Sequence, residues 1–148
     1  MVVLTQYVEP GGFDGIPDGL LQLTADERRH GRRTYTTVSG ELVKLELARG
    51  NVLQPNSFVT SPAQDFWVQI VALQEPVLRV SSRDPLALLR AAYHLGNRHV
   101  ALQISIDWLQ LEPDPVLKHL LVEHLGMEVT EQIAPFEPDP GAYHSHAH

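Results

Sequence analysis

The sequence predicts an α+β protein in two parts: a small all-β domain over residues 1–75, then a βαββαβ domain over residues 76–148. Three observations carry this expectation. The first half contains short apolar runs separated by turn residues. The second half contains two stretches with helix signals at both ends. Each of those stretches is flanked by a strand-like run.

In the first half, Glu41–Leu47 alternates, with Val43, Leu45 and Leu47 on one face and Lys44 and Glu46 on the other. Ser39-Gly40 and Arg49-Gly50-Asn51 bracket it as turn signals. Thr34–Val38 is rich in Thr and Tyr, which favour strands. Phe66–Leu73 reads as a further apolar strand. Pro10-Gly11-Gly12, the Gly15–Gly19 segment and Pro55-Asn56 punctuate the rest, so a small sandwich or barrel is expected.

In the second half, Asp84 can cap a helix whose first turn holds Pro85, and Gly96 can supply the left-handed stop. The pattern returns with Asp114, Pro115 and Gly126, where a second regular helix is expected. Strands are predicted at Val77–Ser81, Val100–Ile106, Trp108–Leu111 and Glu128–Ile133. This order predicts a ferredoxin-like plait, with both helices on one sheet face and the other face left open. Since such a plait hosts many activities, function has to be argued from residues.

Composition removes several chemistries. The chain has no cysteine, so thiolate metal sites, disulfides and cysteine nucleophiles are excluded. Any metal must be held by nitrogen and oxygen. The formal charge of −7 opposes general nucleic-acid binding, and the strand runs Val100–Ile106 and Glu128–Ile133 carry no aromatic residue for base stacking. Neither a membrane span nor a secretory leader is expected, which makes the cytoplasm the expected compartment. No nucleophile motif or phosphate loop stands out, so an enzyme is not expected. Arg28, Arg29, Arg32 and Arg33 form a basic cluster, read either as a solvated turn pairing with Asp26 and Glu27 or as a contact surface for a partner protein.

Eight histidines remain as candidate ligands. His30, His94, His119 and His124 are read as structural, with His119 able to pair with Glu123 one helical turn away. His99 follows the first helix on a short loop, where a lone imidazole is either solvated or one ligand of a larger set. His144, His146 and His148 alternate in a tail expected to be flexible from about residue 138. Such a tract is a metal binder by composition, suited to Ni, Cu or Zn; the alternative is an affinity-tag remnant.

The segment Tyr93-His94-Leu95-Gly96-Asn97-Arg98-His99 resembles the hallmark of the urease accessory protein E (UreE) family of nickel metallochaperones. Asp114-Pro115-Val116-Leu117, Leu125-Gly126, Ala134-Pro135-Phe136-Glu137-Pro138 and Gly141-Ala142-Tyr143 fit it in order. In the first half, Leu23-Thr24-Ala25-Asp26-Glu27-Arg28 and the run from Leu47 to Leu53 are similar to its N-terminal domain.

The resemblance implies a homodimer that meets through the second domain. It implies one Ni(II) ion at the two-fold axis, held by His99 of both chains and completed by His144, His146 and His148. Zn(II) or Cu(II) would substitute in vitro. The expected partners are the urease accessory GTPase and the urease apoprotein with its accessory complex; a general Ni/Zn buffer would use the same ligands without them. Where some members carry extra histidines, this chain has Leu111-Glu112-Pro113-Asp114-Pro115, so a second internal site of that kind is not implied. Pro55-Asn56 replaces the family's frequent Gly-Asp.

Overall fold

The computed structural model describes residues 1–141. The chain is α+β and divides into two compact units, Met1–Leu73 and Gln74 onward.

The first unit is built from β1 (Val2–Leu4), β2 (Gln6–Val8), β3 (Gly19–Leu23), β4 (Thr34–Thr36), β5 (Leu42–Leu45), β6 (Phe58–Thr60) and β7 (Trp67–Ala72). They form two sheets, of order β1-β5-β4 and β2-β6-β7-β3. Leu4, Leu21, Leu23, Val43, Leu45, Val59, Val68 and Ile70 from both sheets share one buried core. The alternation read at Glu41–Leu47 holds: Val43, Leu45 and Leu47 are buried, while Lys44 and Glu46 pair at 3.0 Å in solvent. Two pairings, β1 with β5 and β3 with β7, are parallel.

The basic cluster is a solvated turn in part: Arg29 pairs with Asp26 at 4.0 Å in solvent, as expected, but Arg28 departs from it. Arg28 is buried and its Nη1 donates to the Leu23 carbonyl at 2.9 Å, since a guanidinium inside a domain needs acceptors. Thr24 and Glu27 form a reciprocal capping box around it, with N–H to side-chain distances of 2.9 and 3.1 Å. Arg29, Arg32, Arg33 and Arg49 line a cavity of about 210 Å³ with His30 and Asn51.

The second unit holds β8 (Gln74–Ser81), α1 (Pro85–Asn97), β9 (Gln103–Ile104), β10 (Leu109–Leu111), α2 (Pro115–His119), a π-helical turn (Leu120–His124) and β11 (Glu128–Pro135). The sheet order is β11-β8-β10-β9, and every neighbouring pair is antiparallel. Leu78, Val80, Leu109 and Leu111 face a core completed by Leu88, Ala91 and Leu95 of α1 and Leu121 of the π turn. Asp84 accepts from the Leu86 N–H at 3.0 Å, and Asp114 from those of Val116 and Leu117 at 2.9 and 3.0 Å. Both N-terminal caps thus use carboxylates, which also suit the positive end of a helix dipole.

Three expectations change. The helix after Asp114 is not regular: five α residues give way to a π turn, and the Leu125 N–H reaches back five residues to the Leu120 carbonyl at 3.1 Å. The strand expected over Val100–Ile106 shrinks to Gln103–Ile104. Its early residues are engaged elsewhere: the Val100 N–H bonds Leu95, and the Leu102 carbonyl accepts from Asp139.

The third change concerns the sheet face away from the helices, which is not left open. Gln110 alternates with Leu109 and Leu111, so it points to that face, yet it is fully buried. Its Oε1 accepts from Arg79 Nη2 at 2.8 Å, and its Nε2 donates to Gln103 Oε1 at 3.1 Å and to the Pro135 carbonyl at 3.0 Å. Residues 135–139 run over this face, burying Phe136 and binding Gln103 through the Glu137 N–H at 2.9 Å. The expectation failed because residues 134–137 carried no predicted element and the tail was expected from about 138, whereas this stretch supplies the cover that a sheet face with buried polar groups requires.

Candidate metal site

His99 owes its position to the way α1 ends. The sequence reading put the left-handed stop at Gly96, but the helix runs through Gly96 and Asn97. The left-handed residue is His99, with φ 58°. Its N–H donates to the Gly96 carbonyl at 3.0 Å, and the next N–H, of Val100, donates to the Leu95 carbonyl at 3.2 Å. This double bond pattern is a Schellman motif with His99 in the place usually held by glycine. Val100 completes it by packing on the core that contains Leu95.

The physical reason for the shift is that apolar contact. A stop at Gly96 would put Asn97 where the motif wants an apolar residue, whereas a stop at His99 puts Val100 there. A β-carbon in the left-handed region costs about 1–2 kcal/mol relative to glycine, so His99 ends the helix against a local penalty. The side chain is exposed at the helix end.

The tail begins close by. The Asp139 N–H donates to the Leu102 carbonyl at 2.8 Å, three residues past His99. The chain is therefore tied down one residue past the expected start of the flexible tail. His144, His146 and His148 lie outside the described residues. Val100, Ala101, Glu112, Pro113, Asp114 and Leu117 line a cavity of about 270 Å³, where the Asp114 carboxylate is engaged by the Val116 and Leu117 N–H groups.

The other histidines fall elsewhere. His30 sits 3.9 Å from Asp26, and His94 packs edge-on to Tyr93 with ring centroids 5.6 Å apart. The ring contact of His119 is with His124, at 5.4 Å between centroids, in place of the expected pairing with Glu123. Among the described residues, no three His, Asp or Glu side chains gather into a metal-binding group. Within them His99 can supply one nitrogen ligand, too few for selective binding.

Comparison with known proteins bears on what that nitrogen serves. Residues 75–148 match the family model for the C-terminal domain of the UreE urease accessory protein. The whole chain is 44% identical over 149 residues to a urease accessory protein UreE of Nostoc sp., covering all of both chains. It is 43% identical over 150 residues to that of Nostoc punctiforme, again covering all of both. For that of Thermosynechococcus vestitus the identity is 46% over 146 residues, spanning 99% of this chain and 100% of the relative.

Proposed function

Since the chain belongs to the UreE urease accessory protein family, an accessory family and not one of enzymes, we propose that it is a nickel metallochaperone for urease assembly. In this reading it holds Ni(II) between two copies of itself, through His99 of each chain and the histidines of the tail. The observation that carries it is the Asp139–Leu102 hydrogen bond, which anchors the tail three residues from His99. From Asp139 to His144 the chain can extend roughly 17 Å, and Leu102 to His99 is at most about 10 Å, so tail imidazoles reach His99 of their own chain.

A second copy supplies the rest. A residue near a two-fold axis appears twice within reach of one ion. The outer face of α1 suits such an axis: Leu86, Leu89 and Tyr93 are 50, 67 and 66% exposed at helical spacing, and His99 follows the helix at its C-terminal end. We read residues 76–148 as a ferredoxin-like plait whose α1 faces pair, and residues 1–75 as a separate β domain. The antiparallel order β11-β8-β10-β9 supports the plait.

An incomplete shell of detachable imidazoles suits a carrier, because ligands can be exchanged one at a time with a recipient. Ni(II) is the cargo, and Zn(II) or Cu(II) compete for the same nitrogens. The recipients in this reading are the urease accessory GTPase and the urease apoprotein, met in the cytoplasm. Among the described residues no helix is long and apolar enough to cross a membrane.

Isothermal titration of the His99→Ala variant with Ni(II) tests the site. The tight event, one ion per two chains, is expected to vanish. Unchanged tight binding overturns the proposal. Pull-down of the GTPase separates delivery from buffering.

A further inference from the structure

We propose that His119 and His124 form a second transition-metal site, one per chain, built by the π-helical turn. In an α-helix, residues five apart point in different directions; a π turn, with its i to i+5 bonds, brings them together. Leu120–His124 is such a turn, and it sets the two imidazoles 5.4 Å apart between centroids at 74°. Metal–nitrogen bonds of about 2.0–2.1 Å place two cis imidazoles on one ion with centroids roughly 5 Å apart. The observed centroid separation of 5.4 Å is close to that spacing.

The surroundings permit a cation. Both histidines are exposed, so water can complete the shell. The nearby ammonium of Lys118 is engaged by Glu131 at 3.3 Å, and Glu123 lines a cavity with His119, adding negative charge there. With no cysteine in the chain, imidazole is the softest nitrogen or oxygen donor available. The ligand class is a borderline divalent ion, Cu(II) before Ni(II) and Zn(II).

The site is separate from His99. Strands β8 and β10 are antiparallel, so the helices that follow them run in opposite directions. His99 closes the C-terminal end of α1, and His124 closes that of the α2 and π segment, so the two lie at opposite ends of the unit. Loading here therefore needs neither the tail nor a second copy.

The test uses the full-length chain carrying His99→Ala, His144→Ala, His146→Ala and His148→Ala, titrated with CuCl₂ and followed by electron paramagnetic resonance. One Cu(II) per chain with two-nitrogen hyperfine structure is expected. Adding His119→Ala or His124→Ala should each leave one-nitrogen coupling and weaken binding by about tenfold or more. No binding in the parent variant, or binding that neither added substitution changes, overturns the site and leaves a ring contact alone. His99-dependent Ni(II) binding in the natural chain is unaffected by either result.

Discussion

The His99 N–H donates to the Gly96 carbonyl at 3.0 Å, which makes the candidate ligand itself the residue that ends α1. Ligand and helix stop are usually different residues. Here the proposed ligand and the stop are one position, and the two roles can be pulled apart by mutation.

His99→Gly should stabilise the metal-free protein by about 1 kcal/mol, because glycine accepts the left-handed conformation without the β-carbon clash. His99→Ala should bring no such gain. Both should lose tight Ni(II) binding. Chemical denaturation of the metal-free variants checks the ranking.

In the proposed reading, the tail anchor sets an effective concentration. Inserting about twelve Gly/Ser residues after Gly141 lengthens the path to His99 and should weaken Ni(II) binding several-fold while leaving unfolding unchanged. Affinity insensitive to the insert would mean that tail histidines do not share the ion.

Gln110 is the hub of the covered sheet face. Gln110→Ala strips partners from Arg79, Gln103 and the Pro135 carbonyl at once. The loss should be about 2–4 kcal/mol, since buried groups left without partners cost more than the bonds themselves contribute. Urea unfolding at constant m-value is the measurement.

If α1 pairs across a two-fold axis, Leu89→Glu puts two carboxylates into an apolar contact and should shift the protein to monomer. Sedimentation velocity reads this directly. A dimer that survives the substitution removes α1 from the interface.

The Tyr35 phenol is held above its ordinary 10.0, first by burial and then by Glu27, with Arg33 acting in the opposite sense. The folded form thus binds this proton more tightly than the unfolded chain does. Its contribution is fully present below pH 10.0 and is lost as pH rises through the folded value. Tyr35→Phe should flatten that part of the alkaline stability profile, as followed by circular dichroism.

Much of the scaffold was legible because short-range chemistry dictates it. Asp84 and Asp114 declared their caps, and the alternation at Val43, Leu45 and Leu47 declared a half-buried strand. His99 was legible as a ligand candidate only through the segment ending Gly96-Asn97-Arg98-His99. Its left-handed backbone was hidden because glycine looked the better stop. The overlooked signal was Val100, the apolar residue that must follow the stop; Met127 plays that part after Gly126. The His119–His124 pair was hidden for another reason: periodicity assumes 3.6 residues per turn, and the pair exists only where the turn is wider. The covered sheet face depended on long-range bonds from residues 135–139, which no local pattern announces.

The ladder between β8 and β11 has a temporal consequence. It joins Gln74–Ser81 to Glu128–Pro135 over eight residue pairs, so the first and last strands of the unit close it. During synthesis the sheet stays incomplete until Pro135 has left the ribosome, because contacts so distant in sequence form late. The tail histidines emerge after that strand. In the proposed reading, the strand that closes the fold is thus made before the histidines that would gather the ion.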